Sequence, residues 1–251
     1  MFTDDPAVAA IFSAKTLGAL WLGGFLGGFA TGAAGFGYGI VAAAIWLHAI
    51  SPLHAAMLVV TGGAVIQAGT IWPLRRAIEP ARLLPFLLPG LAGIPLGVWL
   101  LVRIDAQTVR TALGLFLAAY GAYALTAPRL PHIARGGRIA DAGVGFTGGV
   151  LGGIGGYSGV LPAIWCRLRG WPAGVSRAVY QPFILVAHIW TLTLIGVTAL
   201  DRVGVVLLLL GLPAIAAGAA VGWRVYGALD EMRFAQALAV LLLISGLILA
   251  L

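Results

Sequence analysis

The chain has 251 residues, 61% of them hydrophobic and 9% charged, with a mean hydropathy of +1.04. A soluble domain carries about a quarter charged residues, so this composition excludes one and points to a protein embedded in a bilayer. The net charge of +7 would suggest nucleic acid in a soluble chain, but its 14 arginines are scattered in ones to threes between apolar runs, which is how membrane topology is encoded, and no basic stripe with interleaved aromatics is present.

The chain begins MFTDDPAVAA, acidic rather than basic and without a small-residue cleavage pattern, so no removable signal peptide is expected. Apolar runs such as Val203 to Gly222 approach the roughly 20 residues that cross a hydrocarbon layer as a helix. They are too long for barrel strands and do not alternate with period two, which predicts an all-α polytopic membrane protein. Polar breaks fall at Arg75–Arg82, Arg103–Arg110, Pro128–Arg138, Arg167–Arg177, Asp201–Arg202 and Arg224–Arg233. The longest, APRLPHIARGGR, reads as a linker. The expected organisation is a first membrane repeat over 1–127, a linker over 128–138 and a second repeat over 139–251.

Two passages carry the repeat. Gly24 to Trp46, GFLGGFATGAAGFGYGIVAAAIW, aligns with Gly145 to Trp165, GFTGGVLGGIGGYSGVLPAIW, when the first copy is given two extra residues near its glycines. Ile104 to Gly121 then matches Leu229 to Gly246 without a gap. Arginine placement sets the relative orientation. With five segments per half, Arg75, Arg76, Arg82, Arg129, Arg135, Arg138, Arg167, Arg169, Arg177, Arg224 and Arg233 share one side, and only Lys15, Arg103, Arg110 and Arg202 lie opposite. Four segments per half would split the basic residues almost evenly, against the positive-inside bias. The expectation is two inverted-topology repeats of about five membrane segments each, two of them short or re-entrant around the glycines, with both termini outside the cytoplasm.

Glycine-interrupted segments in matching places of two inverted halves mark a transporter substrate site near the bilayer midplane. Glycine costs about 1 kcal/mol in a helix interior relative to alanine, and unwound backbone at that depth must be satisfied by protein or water. Where one segment stops and the next starts, free N–H groups and the positive ends of helix dipoles suit an anion. The predicted binding set is Gly35, Phe36, Gly37 and Tyr38 in the first copy and Gly155, Gly156, Tyr157 and Ser158 in the second. Arg177 and His54, at matching places that open their spans, are expected to attract the anion, with Gln181 beside Arg177. His188, deep in its span, is a candidate for carrying a coupling proton, and Gln67 for bonding a neighbouring helix.

Gly23, Gly24, Gly27, Gly28, Gly148 and Gly149 read instead as close helix packing. Trp46 and Trp165 fit an interfacial aromatic belt at least as well as a pocket, and Cys166, without a metal-spaced partner, reads as packing. No cofactor or metal is expected. Nor is an enzyme, because paired catalytic carboxylates and a nucleophile with its base are missing from the sequence.

The GFGYG glycines, paired with GGIGGYSGVLPAIWCRLRGWPAGVSRAVYQ in the second half, resemble the sulfite exporter TauE/SafE family of membrane permeases from about Leu17 onward. The resemblance implies transport of sulfite or organosulfonates, such as sulfoacetate or taurine-derived compounds, across the bacterial cytoplasmic membrane. The reading is a multi-pass secondary carrier of small anions working by alternating access, with an anion channel or a carboxylate permease as alternatives. Its expected partners are the lipid bilayer and a small anionic solute, with a homodimer left open and no nucleic acid.

Overall fold

The computed structural model describes residues 11–126, 133, 136–225 and 231–251. The N-terminal decapeptide lies outside the described residues, as do Arg129, Arg135 and most of the expected linker. Ten helices are named here in chain order: α1 (Ala14–Ala34), α2 (Tyr38–Trp46), α3 (Pro52–Leu74), α4 (Pro80–Arg103), α5 (Ala106–Thr126), α6 (Gly137–Gly155), α7 (Val160–Leu168), α8 (Ala173–Ala199), α9 (Arg202–Arg224) and α10 (Glu231–Ala250). No strand occurs among the described residues. Among the described residues, five stretches are long and apolar enough to cross a membrane: Pro52–Trp72, Pro80–Arg103, Ala106–Leu125, Gly174–Gly196 and Arg202–Arg224.

Starts are set by local chemistry. Ser13, Ser51 and Asp201 accept from first-turn amides of α1, α3 and α9, and Pro52 and Pro80 open α3 and α4, where a missing N–H costs nothing. The lengths recur in order, at 21, 9, 23, 24 and 21 residues in the first half and 19, 9, 27, 23 and 20 in the second. One helix per half is therefore short, not two. At about 1.5 Å per residue the nine-residue α2 and α7 cannot cross a hydrocarbon core of about 30 Å. α1 and α6 run on to full length because their glycines are packed against neighbouring helices, so helical structure lasts until Gly35 and Gly156.

The halves interlock. α1 packs along α9 and α6 along α4, so the first helix of each half lies on the fourth helix of the other; α3 pairs with α8 and α5 with α10. Small residues bring the backbones together. A Cβ on Gly28 or Gly32 would strike the α9 backbone near Ile215 or Ala219, and one on Gly149 or Gly153 would strike the Gly90 or Ile94 carbonyl of α4. Residue numbers rise together along both of these seams, so α1 runs parallel to α9 and α6 parallel to α4. Along α5 and α10 they run in opposite senses: Gly114 meets Gly246 and Ala250, whereas Gly121 meets Ala239 and Leu243. The largest apolar cluster joins both halves and includes Tyr38, Trp46, Met57, Val59, Tyr157, Val160 and Ile215.

Candidate functional site

Both glycine clusters break the chain. α1 ends on Gly35 at φ +81°, α2 begins after Gly37 at φ +99°, and α6 ends on Gly156 at φ +78°. These are left-handed conformations that side chains disfavour. The breaks meet: a Cβ on Gly39 would lie 3.1 Å from the Gly156 carbonyl oxygen. Between them is a narrow cavity of about 30 Å³. Phe36, Gly37, Tyr38, Gly156, Tyr157 and His188 of the predicted set line it.

Several expected donors are already committed. The N–H of Gly35 donates to Thr31 O at 2.7 Å, that of Gly156 to Gly152 O at 2.7 Å and that of Tyr157 to Leu151 O at 3.3 Å, because each closes the end of its helix. The Tyr38 hydroxyl donates to Leu58 O at 3.3 Å. Among the donors that remain are those at the start of α2. Its first-turn amides, on Tyr38, Gly39 and Ile40, have no intrahelical partner and no side-chain cap, and all three residues line the cavity. α7 offers less, since Val160 N–H donates to Tyr157 O and Pro162 has no N–H.

Gly35, Arg177 and Gln181 form a second cluster beside the cavity. Gln181 Nε2 donates to Gly35 O at 3.2 Å, and a Cβ on Gly35 would lie 3.3 Å from Arg177 Nε. Phe36 sets its ring edge-on to Tyr180, with centroids 6.0 Å apart. Gly155 packs under the Tyr157 ring, and fully buried Ser158 faces Gly152 one layer behind.

His54 is not brought to the site. It sits in the first turn of α3, where Ser51 Oγ lies 2.7 Å from its Nδ1 and Asp201 Oδ1 3.0 Å from its Nε2. The expected equivalence with Arg177 fails because Arg177 lies beside Gly35 at the end of α1 whereas His54 lies beside Asp201 at the start of α9; the cavity itself is lined by later residues of both helices, Gly63 and Gln67 of α3 and Ile184 and His188 of α8. Trp46 is not a belt residue either. It is fully buried, and its indole N–H donates to Leu20 O at 3.1 Å.

Sequence reasoning missed Thr31 and Gly63. Thr31 lines the cavity with a buried hydroxyl that has no partner, and Gly63 makes room for the His188 ring. Among the described residues lining the cavity none is Asp, Glu, Lys or Arg. The site is electrically neutral and offers amide hydrogens, with one guanidinium close by.

These features describe an α-helical, multi-pass membrane protein in which one order of long and short helices recurs and the broken helices meet around a small cavity. A family model described as Sulfite exporter TauE/SafE matches residues 20–249, and the chain belongs to that family of membrane transporters. No curated protein and no solved structure matches it.

Proposed function

We propose that the protein is a secondary carrier that binds a small anion, of the sulfite or organosulfonate class, in the cavity between the two breaks and moves it by alternating access. The observation that carries this reading is that the first-turn amides of α2, without intrahelical partners or a side-chain cap, belong to residues lining a neutral cavity that the α6–α7 break also lines. Helix N-termini favour anions through their free N–H groups and dipole, and the Arg177 guanidinium beside Gly35 raises the local potential.

Two further observations support alternating access. The matched helices α5 and α10 run antiparallel while α1 follows α9 and α6 follows α4, the pattern expected if the halves are inverted copies. The copies also differ in one contact. α2 is held to α10, where Ser245 Oγ donates to Ala44 O and lies 2.9 Å from His48 Nε2. The corresponding α7 and α5 instead line an apolar groove of about 310 Å³. Exchange of closed and open contacts between inverted copies is what an alternating carrier requires. We take the membrane to be the bacterial cytoplasmic one because the family implies it, and the arginine distribution orients the chain with both termini outside.

The test is counterflow of labelled sulfoacetate and sulfite in proteoliposomes. Arg177→Ala and Gly37→Leu should each reduce transport at least tenfold, a factor worth about 1.4 kcal/mol. Wild-type rates in both would refute the site. Channel-sized currents in planar bilayers would refute the carrier.

A further inference from the structure

The two nitrogens of His188 are in different situations. Nε2 lies 3.1 Å from the Gly156 carbonyl oxygen, and a carbonyl only accepts, so Nε2 carries the hydrogen. In the neutral ring Nδ1 is therefore a lone-pair acceptor. It is buried and has no partner. The edge bearing it lies over Gly63, where a Cβ would be 2.6 Å from Nδ1, and both residues line the central cavity.

A bare lone pair repels an anion. The remaining lining does not compensate, since it holds no charged side chain among the described residues. The titratable groups facing the ring are Tyr38 of α2, whose hydroxyl donates to Leu58 O, and Tyr157 of the α6–α7 break. The nearest cation on the same helix is Arg177, at the start of α8 beside Gly35. A proton on Nδ1 removes the repulsion, makes both ring nitrogens donors and supplies the positive charge that the lining lacks. Thr31, whose hydroxyl on the same lining is likewise buried without a partner, completes a donor set suited to an oxyanion.

We propose that each anion is carried together with one proton held on His188 Nδ1, so that a monoanion and its proton cross as a neutral pair. The proton is taken from water on the loading side and returned to water on the release side. This rests on the carrier reading above and specifies its coupling ion.

The experiment uses proteoliposomes of the full chain, a pH dye inside, and labelled methanesulfonate with ethanesulfonate as a second probe. A sulfonate head group stays ionised across the working range, so a proton cannot cross on the solute itself. The expected result is one proton entering per methanesulfonate, unchanged when the membrane potential is clamped. Accumulation should be roughly tenfold per unit of inside-alkaline pH gradient, because equal factors of ten in the two gradients balance. His188→Gln retains an N–H donor for Gly156 but cannot be charged, and it should lose pH-driven accumulation while any remaining exchange ignores the gradient. Methanesulfonate movement without proton movement in the wild type overturns the coupling and leaves the carrier reading standing. Failure of every tested anion to move overturns both.

Discussion

Gly37 and Gly156, each followed by a tyrosine, hold the same left-handed conformation at φ +99° and +78°, although one opens a short helix and the other closes a long one. Their surroundings differ. A Cβ on Gly37 meets nothing within 4 Å, whereas one on Gly156 collides with Val59.

Alanine at the two positions should separate backbone strain from crowding. Gly37→Ala carries only the strain of a left-handed L-residue, about 1–2 kcal/mol. Gly156→Ala adds overpacking of about 1–3 kcal/mol. Thermal unfolding in detergent should place Gly156→Ala clearly below Gly37→Ala. Adding Val59→Ala should recover the crowding part only. Equal losses from both alanines would mean that Val59 does not confine the break.

The two tryptophan contacts give a second contrast between the copies. Trp46 donates to Leu20 O, while Trp165 donates at 2.7 Å to Oδ1 of Asp141, the position that aligns with Leu20. Arg169 lies 3.3 Å from the same oxygen, and Asp141 is only 5% exposed. Removing one partner of a buried ion pair strands the other charge. Asp141→Ala should therefore cost about 3 kcal/mol, the low end of that range because Arg169 keeps some solvent. Trp46→Phe loses one neutral hydrogen bond and should cost about 1 kcal/mol. A double-mutant cycle of Asp141→Ala with Arg169→Ala, followed by denaturant unfolding in micelles, measures the coupling; additivity would remove the ion pair from the account.

The breaks and the recurrence of segments from one half to the other are legible in the sequence because glycine density and the GFxGG repeat are both local signals. The direction in which side chains face is not. His54 and Arg177 share an order along the chain, but Arg177 lies beside Gly35 at the α1 break while His54 lies beside Asp201, and nothing near His54 announces Asp201 as its partner across the halves. Trp46 looks interfacial because it ends an apolar segment; its burial depends on Gly23 and Leu20 of α1 receiving the ring. Thr31 is silent for the same reason. A threonine inside GFATGAAG carries no mark until the α1 break opens a cavity beside it. The commitment of the Gly35, Gly156 and Tyr157 amides follows from helix-end hydrogen bonding, which depends on where each helix stops rather than on how many glycines surround the stop.

Asp201 offers a pH-dependent test of how the halves are tied. Its Oδ1 accepts from Gly204 N–H at 2.7 Å, capping α9 of the second half, and lies 3.0 Å from His54 Nε2 in α3 of the first. Partial burial pushes its carboxyl up, but the Gly204 amide and then His54 outweigh this and leave its pKa below the ordinary carboxylate value. A depressed folded pKa stabilises the fold above the unfolded value of about 3.9, and that contribution is lost as pH falls through the lower folded value. Wild-type stability should accordingly decline in the acid range below about pH 4. Asp201→Asn keeps an oxygen for the cap but cannot titrate, so its stability should change less with pH there. Asp201→Ala loses the cap and should cost about 1 kcal/mol at neutral pH. The side chain is 52% exposed, so the His54 contact adds little in solution and salt should barely alter these differences. An identical acid decline in wild type and Asp201→Asn would assign that decline to other carboxylates and leave Asp201 a cap alone.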